Sequence, residues 1–281
     1  MRAHVTTSVG EVKQRNVGRS GLRVSEIGVS TTNPDVVTRF LDEGGTLLDV
    51  SPASAPALAP VNPRDLVISA QIGVDPARPV GRRVDCSRRA LLNQLDELLS
   101  ALGLEHVDLL SAGHFDPRTP PEEVAETLQR VVESGRARYA GVRGYRGWQL
   151  AVTPGMSAVH HEYSLLKRGA EEELVPAAGH LGIGVIAENP FAHGLLTGES
   201  SPEAQAYSGS AARTVVDALD TAADGLGVTP ATVALAWTLG RVDAAMVTAD
   251  SPAVVSEAAA AAATTIPRAI DRALDDVSRV G

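Results

Sequence analysis

Short apolar runs alternate with amphipathic helical stretches along almost the whole chain, and this alternation happens eight times. The runs begin near residues 27, 46, 66, 107, 139, 158, 184 and 245. Helical patterns separate most of them. The plainest is Arg88–Leu102, where Leu91, Leu92, Leu95, Leu98, Leu99 and Leu102 recur at helical spacing before Gly103. Strands that alternate with helices form a parallel sheet. Eight such units over about 250 residues predict a closed (β/α)8 barrel. A doubly wound open sheet needs a glycine-rich phosphate turn after its first strand, and no GxGxxG or Walker pattern occurs. Residues 14–25, punctuated by Gly18, Ser20 and Gly21, read as a β-hairpin ahead of the barrel. Residues 1–281 are therefore expected to form one α/β barrel domain. The segment Ser51–Pro63 carries no helical periodicity.

Composition narrows the partners. The net charge of -9 and the absence of a basic run argue against nucleic acid and anionic membranes. No run of about 18 apolar residues exists, and the opening MRAHVTTSVGEVKQ has no apolar leader core. One cysteine, Cys86, precludes an internal disulfide. A cytoplasmic protein is expected. Lys13 and Lys167 are the only lysines, so Schiff-base or lysine proton-relay chemistry is disfavoured.

In a barrel the chemistry sits at the C-terminal ends of the strands. The strand list thus becomes a site list: Asp49, Gln71, Gly113 with His114, Arg143, His160 with His161 and Glu162, Glu188 with Asn189, and Thr248 with Asp250. Adjacent strand residues face opposite ways, so only one of His160 and His161 points inward. Asp49 is either a general acid or base or a carboxylate with structural contacts only. Arg143 either grips an anionic substrate or pairs with Glu188 in a buried ion pair. Cys86, between Asp85 and Ser87 at a helix start, reads as part of a cap region rather than a nucleophile. No ligand spacing points to a metal, and none is expected.

The segments RNVGRSGLRVSEIGVST, SRRALLNQLDELLSALGLEHVDLL, EEVAETLQRVVESGRARYAGV, EYSLLKR, LGIGVIAENPFAHGLLTG and LGVTPATVALAW resemble, in order, barrel segments of the aldo-keto reductases. The resemblance implies a barrel and an NADPH-dependent oxidoreductase ancestry. It also implies a site built on Asp, Tyr, Lys and His. Asp49 in LLDVSPAS matches the aspartate. The tyrosine position holds Ser54, the lysine position Gln71 in VISAQIG, and the histidine position Gly113 in LLSAGHFD, with His114 one residue later. Serine is a far weaker acid than a phenol, and Gln71 carries no charge. The cofactor positions also differ. Arg143 and Gly144 stand where the family holds the nicotinamide amide, and His160 replaces a glutamine. Glu188 replaces a stacking tyrosine, Asp250 a phosphate-binding base, and Ala258 an adenine-binding asparagine. By the same match His160 faces inward.

These replacements lead to the expectation that NADPH binding is lost and no cofactor is used. The chain would then be a non-redox enzyme catalysing dehydration, cyclisation or isomerisation of a small molecule in the barrel mouth, in bacterial specialised metabolism. Asp49, His160, Glu188 and His114 would move protons and Arg143 would orient the substrate. Two alternatives stay open: an NAD(P)H-dependent reductase with an unusual site, and a noncatalytic ligand- or protein-binding relative.

Overall fold

The structure, a computed structural model, describes residues 12–198, 202–205, 207 and 209–279. The leader reading of the N-terminus lies outside the described residues up to residue 11. The described chain runs β1 (Gln14–Asn16), β2 (Arg23–Ser25), β3 (Ile27–Ser30), α1 (Pro34–Asp42), β4 (Leu47–Val50), α2 (Ala55–Leu58) and β5 (Val67–Ile72). It continues with α3 (Arg88–Leu102), β6 (Val107–Gly113), α4 (Pro121–Glu133), β7 (Ala137–Arg143), α5 (Gly147–Ala151), β8 (Ala158–Glu162), α6 (Leu174–Leu181) and β9 (Gly184–Glu188). It ends with α7 (Pro202–Gln205), α8 (Ser210–Leu226), α9 (Pro230–Leu239), β10 (Ala244–Thr248), α10 (Pro252–Ala263) and α11 (Arg268–Ser278).

Strands β3 to β10 pair in parallel and close into a barrel in chain order, β10 returning to β3. This is the (β/α)8 arrangement that the alternation predicts. The helices begin and end on local signals. The Ser87 hydroxyl accepts from the Ala90 amide at the start of α3, and Gly103 closes that helix in the left-handed region. Leu91, Leu95, Leu98 and Leu99 turn inward and join the larger apolar cluster between strands and helices.

The hairpin β1–β2 closes the bottom of the barrel. Val17, Leu22 and Val24 pack with the inward Leu47, Leu109, Ala158, Ile186 and Met246 in a separate cluster. The interior is therefore filled from below, and only the upper end is left for polar side chains. Residues 51–63, which carry no helical periodicity, nevertheless wind: a 3-10 turn at Pro52–Ser54 leads directly into α2. Two prolines sit at the first turns, where their missing amide costs no hydrogen bond, so a segment without periodicity still winds.

Candidate active site

Arg143, at the end of β7, reaches into the barrel mouth with its side chain almost fully buried. Its Nη1 donates to Asp49 Oδ2 at 3.0 Å and to Glu188 Oε1 at 3.0 Å. Its Nη2 donates to Asp49 Oδ1 and, at 3.1 Å, to Ser69 Oγ. The Asp49–Arg143 contact is thus a two-pronged pair, the strongest geometry open to these groups. Asp49 and Glu188 come from strands on different sides of the barrel, and the guanidinium joins them. Of the two roles open to Arg143, the structure shows the buried ion pair. Burial opposes its charge, but Asp49 and Glu188 outweigh that and hold the guanidinium more firmly protonated than usual.

Glu188 is left with the weaker share. It accepts from Arg143 at Oε1, and its side chain remains 30 % exposed to the cleft. Burial raises its carboxyl above the usual range; the Asp49 charge adds to the rise and Arg143 opposes it. His160 lies beneath and is fully buried, with Nδ1 3.7 Å from Glu188 Oε1, beyond hydrogen-bond reach. Neither ring nitrogen has a hydrogen-bond partner among the described residues, and the same holds for Arg143 Nε and Ser111 Oγ. Burial, then Arg143, push His160 well below its ordinary value. The expectation that His160 moves protons is therefore corrected: burial disfavours its charged form and holds the imidazole neutral.

The other expected residues are placed differently. His114 is exposed, with a left-handed φ of 56°, and its ring lies over Gly144. It does not line the central cleft, so its inward swing is not seen. Ser54 is buried, and its hydroxyl accepts from the Ser51 amide at 3.2 Å. Gln71 lines a second cavity beside α3. A Cβ on Gly113 would come within 2.0 Å of Gln71 Nε2, so the two altered positions fit each other. Cys86 is buried, with its thiol facing the Gly113 and His114 carbonyls. Burial, then Asp116 and Asp85, push it up to about 12.

The mouth opens into a cleft of about 600 Å³ that runs across β9, β10 and β3 to α10. Asp49, Arg143 and Glu188 stand at one end; Asp250, Val254 and Glu257 stand at the other. Phe191, Leu235 and Met246 supply apolar wall, and Ser30, Asn189 and Thr248 supply short polar groups. Pro252 opens α10 and has no amide, and Ser251 makes no side-chain cap, so the amides of Ala253 and Val254 are the ones left for another acceptor. Asn189, Ala192 and His193 all hold φ near +50°, a costly cluster in one wall of the cleft. Asn189 was among the strand-end residues named from sequence, whereas Ser69 and His193 were not singled out. Ser69 was detectable by the period of two that places it and Gln71 on one face of β5. His193, on a loop, carries no such signal.

A family model described as the Aldo/keto reductase family matches residues 30–278. An uncharacterized oxidoreductase of Bacillus subtilis (strain 168) is 38% identical over 115 residues, covering 38% of this chain and 35% of that protein. The versiconal hemiacetal acetate reductase of Aspergillus parasiticus is 29% identical over 182 residues, covering 57% and 53%. The L-glyceraldehyde 3-phosphate reductase of Escherichia coli (strain K12) is 35% identical over 150 residues, covering 48% and 41%. The matched stretch spans between about a third and about a half of the length of these relatives.

These matches overturn two expectations, the non-redox, cofactor-independent enzyme and the lost nicotinamide cofactor. The relatives are named reductases and an oxidoreductase, not lyases or cyclases. Counting replaced side chains misleads for a physical reason. Main-chain amides at a helix start can hold a phosphate whatever the side chains are, and the start of α10 borders the cleft.

Proposed function

The chain belongs to the aldo/keto reductase family, and from that premise we propose that it is a nicotinamide-dependent oxidoreductase with an unusual site, acting on a carbonyl or alcohol of a small molecule at the barrel mouth. The observation that carries this reading is the continuous cleft from Asp49, Arg143 and Glu188 to the start of α10.

The residues present fit a nicotinamide dinucleotide. The open amides of α10 suit its phosphates. Asp250 and Glu257 suit ribose hydroxyls, as an acidic residue does wherever NAD is preferred to NADP. Ser30, Asn189 and Thr248 suit a carboxamide near the mouth. Arg143 and His193 are the basic side chains on the cleft wall among the described residues, and Arg143 is already paired. A 2′-phosphate beside Asp250 and Glu257 would meet repulsion, so the phosphate-free dinucleotide is the better fit. When bound, the nicotinamide supplies hydride. The chain's own part is to hold Asp49 and Arg143 as a fixed pair and to present Glu188 to the carbonyl.

Titration of the protein with NADH and with NADPH, read by nucleotide fluorescence, tests the reading. NADH is expected to bind, at least about tenfold more tightly than NADPH, a difference of about 1.4 kcal/mol. Absence of binding by both at about 1 mM, a range in which even weak sites are occupied, would overturn it.

A further inference from the structure

We propose that the Glu188 carboxyl gives its proton to the substrate's carbonyl oxygen in reduction and takes it back in oxidation. This rests on the oxidoreductase reading above. Ser54, which stands at the resembling family's proton-donor position, cannot serve, because its hydroxyl is buried in the turn at Ser51 and does not line the cleft. Gln71 is turned to a different cavity.

The charge count at the mouth singles out Glu188. Two carboxylates face one guanidinium. Asp49 takes both prongs of Arg143, while Glu188 shares one of them. The surplus negative charge therefore falls on Glu188, in a place where desolvation disfavours charge. A proton resting there leaves the mouth neutral. The groups around it divide: Asp49 from β4 raises the carboxyl, Arg143 from β7 and His114 from beyond β6 lower it, and His160 from β8 faces it at 3.7 Å. Burial, and then Asp49, raise the carboxyl against the opposing pull of Arg143, the direction that suits a general acid. His160 makes no hydrogen bond among the described residues and stays neutral, so it does not compete for the proton. It acts as a positioning residue, its ring a floor 3.7 Å below Oε1.

The step balances. A bound reduced nicotinamide would supply the hydride for the new C–H bond and would itself be oxidised. The C=O π pair would move to oxygen, and Glu188 gives that oxygen its proton. Glu188 is then a carboxylate against Arg143, and solvent reprotonates it through the open cleft.

Glu188→Gln keeps the shape and removes the acid. Nucleotide affinity is expected to stay within about twofold. Reduction of 4-nitrobenzaldehyde or glyceraldehyde is expected to fall in kcat by about 10²-fold or more, with loss of the wild-type limb at high pH. Independently of turnover, infrared titration of the free protein should show a protonated carboxyl persisting above the ordinary glutamate range, absent in the variant. Should Glu188→Gln fail to fold, Glu188→Asp keeps the acid one methylene further back. It should retain the pH profile with a lowered kcat. The proposal is overturned if Glu188→Gln binds nucleotide and reduces aldehyde within about threefold of wild type with an unchanged profile, a loss too small for general-acid catalysis, or if Glu188→Asp loses the wild-type pH profile. It is also overturned if the high-titrating carboxyl survives in Glu188→Gln. Failure of the wild-type protein to bind either nucleotide is the separate outcome that sinks the oxidoreductase reading itself.

Discussion

Replacing Arg143 with methionine leaves Asp49 and Glu188 facing each other without their shared cation. Removing one partner of a buried ion pair typically costs about 3–5 kcal/mol. The Arg143→Met protein should therefore unfold at markedly lower urea concentration, read by circular dichroism. His160 permits a sharper test because its sign is opposite to that of Glu188. A histidine held below its ordinary value of about 6.5 stabilises the fold above that pH. That contribution is lost as pH falls, because unfolding then takes up a proton. Glu188, raised above the usual range, contributes stability at low pH that is lost as pH rises through its folded value. In His160→Gln the first dependence disappears. The drop in stability between about pH 7.5 and about pH 5.5, at most about 1.4 kcal/mol per unit, should shrink relative to wild type. At this scale, strand ends and alternation were enough to nominate Asp49, Arg143, His160 and Glu188. Their protonation was not legible, because it depends on how near strangers in sequence approach.

Element boundaries show a similar division. The barrel strands lie where apolar runs predict them, since an inward strand face has few other ways to read. The hairpin β1–β2 was legible from its turn residues, but its task as a floor was not. Gly18 shows why it must fit closely. It holds φ +54°, and a Cβ would lie 2.4 Å from the Gly184 nitrogen. Its amide and that of Val185 both donate to Asp243 Oδ2, tying the hairpin to β9. Gly18→Ala combines left-handed strain with a clash against main chain, so it should cost at least about 1–3 kcal/mol in thermal or urea unfolding. Ser54, Gln71 and Gly113 teach the complementary lesson. Read singly they are losses, but in space Gln71 occupies the room that Gly113 leaves, and Ser54 completes a turn.

The last helix is joined to the rest by charge. Arg168, after β8, donates to Asp275 Oδ1 at 3.0 Å and to Ser278 Oγ at 2.7 Å on α11. Its guanidinium also lies 4.9 Å from the Trp237 ring centre, and that of Arg241 lies 4.0 Å from it. Arg168→Ala should raise the hydrogen-exchange rate of α11 selectively and lower global stability by about 1–2 kcal/mol, since partly buried charge-assisted bonds and a ring contact are lost together. Among the described residues no helix is long and apolar enough to cross a membrane. The alternation of strands and helices determined the (β/α)8 barrel from sequence alone, because each run's period states which face must be buried. That same logic, applied to the rim, named the polar residues that converge there. Only the tertiary structure decided that Arg143 spends itself on Asp49 and Glu188, that His160 is sealed beneath them, and that one cleft joins the mouth to the start of α10. Those outcomes depend on distances across the barrel and on desolvation, and neither is a property of any local stretch of chain.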